Sequence, residues 1–212
     1  MPSKRDLVDF WKKSGLLKDK NALAAFMAVE RKHFMVKGTD AYAYEDVALP
    51  IICGQTISQP STVMMMTQAL ELKKGMKVLE IGSGSGYQAA IIAKVIGAKG
   101  KLYTTEIIPE LADFAKTNLE KEHIANVEVI HSDGSEGYKE KAPYDRIIVT
   151  AAAPLIPKPL IEQLKVNGIM VIPVGSGVQK LIKVVKHKNS VDKADLGYFR
   201  FVPLRGKHGM PE

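Results

Sequence analysis

Three glycines at alternating positions, in Glu80-Ile81-Gly82-Ser83-Gly84-Ser85-Gly86-Tyr87, constrain this 212-residue chain more than any other feature. They fall between a short apolar run, Val78–Ile81, and a longer amphipathic one, Tyr87–Ile96. A backbone turning there from strand into helix needs residues that tolerate positive φ and let a ligand approach main-chain N–H groups. The pattern then repeats. Leu102–Thr105, Val127–His131, Arg146–Thr150 and Ile169–Pro173 read as strands, with helices at Pro109–Lys121 and Lys158–Leu164. Strand, helix, strand at this spacing predicts right-handed βαβ units and an α/β, doubly wound, mostly parallel sheet. Lys180–Val185 and Phe199–Leu204 are expected to finish one edge as a hairpin, for about seven strands.

Residues 1–72 read as an N-terminal helical extension. Leu16, Leu17, Leu23, Phe26, Met27 and Phe34 have roughly helical apolar spacing. A further helix begins near Pro60, with Val63, Met66, Ala69 and Leu70 on one face. The expectation is one domain over 1–212: helical segment 1–72, ligand-binding core 75–175, and terminal strands 176–212. The run Met64-Met65-Met66 is assigned to helix packing rather than to a cofactor platform.

Acidic residues mark the corners of the predicted sheet. Glu80 sits in the glycine loop, Glu106 ends the second strand, and Asp133-Gly134 follow the third. A carboxylate at Glu106 can accept from ribose hydroxyls, and Asp133 can reach an adenine edge. Together they point to a nucleoside-type cofactor in the crevice at the strand ends. The dinucleotide fingerprint needs Gly or Ala three residues after Gly84, where Tyr87 stands, and no Walker A G-K-[ST] occurs. An ionised Glu80 would repel a pyrophosphate and attract a cation, which favours S-adenosyl-L-methionine with its sulfonium and ammonium groups. The E-x-G-x-G-x-G arrangement resembles motif I of the class I methyltransferases, which implies their Rossmann-like fold.

Composition narrows the remaining choices. Val47–Leu70 is a run of 24 residues without a charge, but Pro50, Gly54, Gln55, Ser58, Gln59 and Pro60 interrupt it, so it does not read as a membrane span. No apolar leader is visible in residues 1–13. The one cysteine, Cys53, permits no disulfide framework and is expected to be small and buried. A cytoplasmic location, a monomer, and neither nucleic-acid nor membrane partners are the expectations. No histidine pair has metal-ligand spacing, so no metal is expected. The net charge of +7 is concentrated in the flanks. Residues 1–40 carry nine Lys/Arg against five Asp/Glu, and residues 176–212 carry eight against three. It reads as a solvated surface, with steering of acidic substrates a weaker alternative.

Acceptor motifs of other methyltransferases are missing. Thr150-Ala151-Ala152-Ala153-Pro154 is not the [DNS]-P-P-[YF] of base-amine methylation, and Cys53 does not follow a proline. Present instead is Gly54-Gln55-Thr56-Ile57-Ser58-Gln59-Pro60, preceded by Tyr44-Glu45-Asp46 and Leu49-Pro50-Ile51. With Leu79–Ala90, Asp133-Gly134, Ala142–Asp145, Val149–Ala152, Leu160–Leu164, Ile172–Gly175 and Phe201–Leu204, these segments resemble the protein-L-isoaspartate (D-aspartate) O-methyltransferases, from about residue 7 to residue 205. Departures are few. Glu30 replaces the proline usual before Arg31, Ser83 a common Thr, and Ser132 a common Gly.

The resemblance implies transfer of a methyl group from S-adenosyl-L-methionine to the free α-carboxylate of L-isoaspartyl and, by the family's name, D-aspartyl residues in damaged proteins and peptides, leaving S-adenosyl-L-homocysteine. It assigns the cofactor to Thr56, Ile57, Glu80, Gly82, Ser83, Gly84, Gly86, Glu106, Asp133 and Gly134. It assigns the peptide to Ser58, Gln59 and Pro60, with Ser58 as catalytic residue. On spacing alone Ser58 reads rather as a helix N-cap or loop serine, and the resemblance reverses that reading. An uncharged segment suits the chemistry, because Lys or Arg would trap the reacting carboxylate and Asp or Glu would repel it. The competing readings are a methyltransferase for a small-molecule or RNA acceptor, and a catalytically silent S-adenosylmethionine-binding module.

Overall fold

A computed structural model describes residues 2–211. Helix α1 (Lys4–Ser14) is closed at its start by a capping box between Ser3 and Asp6, and at its end by Gly15 in the left-handed region. α2 (Lys20–Ala28) begins at Asp19, whose carboxylate accepts from the N–H groups of Asn21 and Ala22. The chain next forms a small hairpin, β1 (Leu49–Pro50) with β2 (Thr56–Ile57), and enters α3 (Pro60–Ala69). Alternation follows: β3 (Lys77–Ile81), α4 (Tyr87–Ile96), β4 (Lys101–Glu106), α5 (Pro109–Lys121), β5 (Val127–His131), β6 (Tyr144–Val149), α6 (Lys158–Gln163), β7 (Leu164–Val174), β8 (Gln179–Lys186) and β9 (Val191–Phe199). Three short 3₁₀ segments before α3, and two between β5 and β6, complete the order.

The seven-stranded sheet runs β5-β4-β3-β6-β7-β8-β9. β3 to β7 are mutually parallel, and β8 and β9 join by antiparallel pairing. β3 lies between β4 and β6, so the chain reverses its direction of travel across the sheet there. Open α/β sheets bind ligands at the carboxyl ends of strands flanking such a point. The helical extension is continuous with the core. Trp11, Phe26, Phe34, Met64 and Met66 pack in one apolar cluster with Ile91, Ile92 and Val171.

Two expectations need correction. Phe199–Leu204 is not the last strand; β9 is Val191–Phe199. None of its residues is buried, and Asp192, Lys193 and Asp195 interrupt its apolar residues, as suits a sheet edge, so it shows little apolar signal. The more apolar Phe201–Leu204 turns off the edge and crosses the end of β6. It makes one parallel bridge, Ala152 with Pro203, in which Ala152 N–H donates to Val202 O and Leu204 N–H to Ala152 O at 2.8 Å each. Pro203 has no N–H with which to extend a ladder. Cys53, expected to be buried, is exposed at the tip of the β1–β2 hairpin with φ 56° and ψ 28°. The turn is so tight that Cys53 and Gly54 both take left-handed geometry, and the thiol points outward.

Two ionisable residues are fully buried at this end of the molecule. The guanidinium of Arg31, fully buried, donates to Ala43 O at 2.8 Å, Ser58 O at 3.1 Å and Val47 O at 3.2 Å. It tethers the 3₁₀ segment 31–34 to both ends of the irregular stretch. Its neighbour Glu30 accepts from Lys4 at 2.6 Å and from the Tyr44 hydroxyl at 2.7 Å, which gives a role to the residue that departs from the family's proline. Glu80 lies inside β3, fully buried, with neither carboxyl oxygen hydrogen-bonded. Burial pushes its pKa up to about 8; the neighbouring Thr104 hydroxyl opposes that rise, and the Glu106 charge adds to it.

Two outcomes are expected. Glu80 is protonated in the folded chain at pH 7 but ionised when unfolded, so its contribution to stability is present below about pH 4.5 and lost as pH rises toward 8. Glu80→Gln should remove that loss, so its Tm advantage over the parent should widen from pH 5 to pH 8; parallel Tm profiles would refute buried titration. Arg31→Lys leaves an ammonium that cannot span three carbonyls. It should cost on the order of 3 kcal/mol, about 6–12 °C in Tm. An unshifted melting curve would show that the clamp is dispensable.

Candidate functional site

An open cavity lies at the carboxyl ends of β3, β4 and β6, where open α/β sheets bind ligands. The loop after β3 forms its floor. Gly82 and Ser83 donate their N–H groups to Thr105 O, at 2.8 and 3.1 Å. Gly84 N–H donates to Glu106 Oε2 at 3.0 Å, and Gly86 N–H to Ser83 O at 2.8 Å. Gly82 has φ 90°, and a Cβ there would stand 2.6 Å from Thr150 Oγ1, so only glycine fits beside Thr150. Thr150 itself donates to the carbonyls of Ile81 and Gly82, tying β6 to the loop.

The sequence-assigned cofactor residues divide into three groups. Thr56, Ile57, Gly82, Ser83, Gly84, Glu106 and Gly134 line the cavity. Glu106 Oε1 also accepts the N–H groups of Ile107 and Ile108, at 3.0 and 3.1 Å. Three of its roughly four lone-pair positions are thus taken by the backbone, leaving room for one ligand hydroxyl. Gly86 forms the turn into α4 without lining the cavity. Glu80 and Asp133 stand apart from the wall. Glu80 is behind the loop and neutral, so the attraction expected of it for a cation is not available at pH 7. Asp133 turns to the C-terminal segment, where its carboxylate accepts from Ser135 N–H at 2.9 Å and Lys207 N–H at 2.8 Å. Gly206, at φ 107°, leaves no space for a Cβ against that carboxylate.

The acceptor end is built by the β1–β2 hairpin. α3 starts at Pro60 with Gln59 at the N-cap position, and no side chain of the 58–60 segment caps it. Asp46 does so from a distance, accepting from Ser61 N–H at 2.8 Å, while Trp11 Nε1 donates to Ser61 Oγ at 2.6 Å. Ser58 is therefore not an N-cap. Its carbonyl is held by Arg31, and its half-buried hydroxyl has no hydrogen-bond partner among the described residues. Ser58, Thr56, Thr150, Phe201 and Val202 line both the large cavity and a smaller adjoining one. Gln59 and Thr62 belong to the smaller cavity, with Ala48 and Arg200. Pro60 lines neither and is buried as the first residue of α3.

Sequence reading missed Thr150 and the whole wall from Arg200 to Arg205. The bulky neighbour of Gly82 leaves no trace in the local sequence, and Phe201–Leu204 looked like a strand. Met66 lines the cavity from α3 as a packing residue, while Tyr87 backs the wall against Phe34, with ring centroids 5.6 Å apart. The residues present fit S-adenosyl-L-methionine. Glu106 retains acceptor capacity for a ribose. Ile57, Val63, Met66, Ile81 and Leu111 present apolar surface to the cavity, suited to a nucleoside. No group of three or more His, Cys, Asp or Glu that could hold a metal occurs among the described residues.

Comparison with known proteins agrees with this construction. The family model for protein-L-isoaspartate(D-aspartate) O-methyltransferase matches residues 2–209. A protein-L-isoaspartate O-methyltransferase of Methanococcoides burtonii is 50% identical over 192 residues, covering 90% of this chain and 95% of that one. Another, of Pyrococcus horikoshii, is 46% identical over 222 residues and covers all of both. A solved protein-L-isoaspartate O-methyltransferase superposes with TM-score 0.89 at 32% identity, over 98% of this chain and 67% of that one. The Plasmodium falciparum structure described as a putative member, in complex with S-adenosyl-L-homocysteine, gives TM-score 0.83 at 25% identity over 97% and 99% of the two chains. With nearly the whole chain matched, it belongs to the protein-L-isoaspartate(D-aspartate) O-methyltransferase family.

Proposed function

We propose that the two adjoining cavities carry out the family's reaction, methyl esterification of the free α-carboxylate of L-isoaspartyl residues in damaged proteins and peptides, the opening step of their repair. The observation that carries the placement is the Ser58 hydroxyl, which has no protein partner and lies on the wall common to both cavities. S-adenosyl-L-methionine, held against the glycine loop and Glu106, supplies an electrophilic methyl group. The chain's own residues do the rest. A peptide α-carboxylate, with a pKa of about 3.5, is already an anion at neutral pH, so no general base is required. Consistent with that, no histidine or lysine lines either cavity.

Ser58 donates one hydrogen bond to the carboxylate, orienting it and leaving its other lone pairs available for attack. The hydroxyl keeps its proton throughout. Ile57, Val63, Phe201 and Val202 exclude water, which strengthens that hydrogen bond and strips the nucleophile of solvent. Holding the two reactants in line removes a further entropic barrier. Arg31 acts from outside the site by fixing the Ser58 backbone. Gln59 and Thr56 offer polar contacts to the peptide on either side of Ser58. The same reading takes the enzyme as a cytoplasmic monomer. Its lone cysteine suits a reducing compartment, and among the described residues no helix is long and apolar enough to cross a membrane.

Two measurements test it. With a labelled methyl donor, the purified chain should place a base-labile ester on an isoaspartyl peptide and none on its aspartyl isomer. Donor binding without incorporation would instead indicate a silent binding module. Ser58→Ala should leave the donor KM unchanged and lower kcat about 10- to 100-fold, the value of one hydrogen bond to a charged group. Undiminished turnover at saturating donor would remove Ser58 from the reaction.

A further inference from the structure

The smaller cavity has a single charged residue in its wall. Ala48, Thr56, Ser58, Gln59, Thr62, Thr150, Phe201 and Val202 are neutral, and the ninth lining residue is Arg200. Arg200 is exposed, and its guanidinium makes no hydrogen bond or ion pair with any described residue. The acid closest to it in sequence, Asp195 on β9, is engaged by Lys180 at 3.1 Å and by Gly197 N–H at 2.9 Å. An unpaired planar donor at the edge of an otherwise neutral, polar cavity is suited to a carboxylate.

Its position decides which carboxylate. Arg200 lines the smaller cavity and not the larger one, whereas Ser58, Thr56 and Thr150 line both. The reacting α-carboxylate belongs at the shared wall, beside the methyl donor. Arg200 therefore meets the peptide beyond its reacting residue. A guanidinium on the nucleophile itself would withhold its electrons; one placed a residue away adds binding without that penalty.

We infer that Arg200 is a specificity residue that recognises an acidic side chain flanking the isoaspartyl residue. This rests on the placement of the acceptor at Ser58. It also gives a local role to part of the positive charge in residues 176–212, which as a general surface field would not distinguish one flank from another.

The test uses the full-length enzyme and matched isoaspartyl peptides in which the neighbouring residue, on either side, is Glu or Gln. The parent should show a KM about three- to fivefold lower for a Glu peptide on the side facing Arg200, with equal kcat, and added salt should narrow the gap. Arg200→Gln should erase the preference, raising KM for the Glu peptide to that of its Gln counterpart; Arg200→Lys should restore part of it. Equal KM values in the parent, or a preference that survives Arg200→Gln, would overturn the inference. Ser58→Ala run on the same peptides separates the two readings. It should lower kcat for Glu and Gln peptides alike, and if it does not, the acceptor placement fails whatever Arg200 does.

Discussion

The acceptor end depends on a buried cation that has no carboxylate partner. Arg31 is neutralised by peptide dipoles, the carbonyls of Ala43, Val47 and Ser58, rather than by an ion pair. Burial lowers its pKa, an effect opposed by Tyr87, Asp46 and Tyr44, yet an arginine stays charged under any ordinary condition. Using carbonyls has a consequence for catalysis. Every acid that could have paired with Arg31 is placed elsewhere: Asp46 caps α3, and Glu30 takes Lys4 and Tyr44. The hairpin is consequently tethered without carrying negative charge to the cavity, where an anionic substrate must approach.

A similar separation governs the two glutamates at the glycine loop. Glu80 and Glu106 end or nearly end adjacent parallel strands, and both are almost fully buried. Glu106 accepts from three backbone N–H groups and so ties the loop together. Glu80 faces none, so desolvation keeps its proton on. Were both ionised, two close charges of the same sign would lie in a poorly hydrated space. Environment thus places one glutamate at the cavity wall and the other in the packed base of the loop, although the motif presents them as equals.

This explains why much of the fold was legible from the chain and part of the site was not. α4 and α5 are where helical periodicity predicts them, and β3 to β7 differ from their predicted ranges only at the ends, because buried parallel strands and their covering helices have strong apolar patterns. β9 was missed because an exposed edge strand needs few apolar residues, while Phe201–Leu204 used its apolar residues to cover a cavity. Ser58 could be found through its motif, but its freedom from capping depends on Asp46, twelve residues away. Burial of Glu80 and diversion of Asp133 to the C-terminal segment depend on contacts between distant residues. No local spacing encodes them.

The C-terminal segment gains its importance from where it crosses the sheet. After β9 the chain does not stop at the edge; it returns over β6 through the Ala152–Pro203 bridge and is anchored again where Lys207 N–H meets Asp133. Residues 201–205 therefore wall the donor cavity while Arg200, one residue earlier, stands on the acceptor cavity. The uncharged hairpin forms the opposite side. One wall is kept neutral for the reacting carboxylate, and the other brings the cationic groups that sequence alone located only as a basic flank. Nucleophile activation and charge recognition can then vary independently, because they lie on segments about 140 residues apart in the chain.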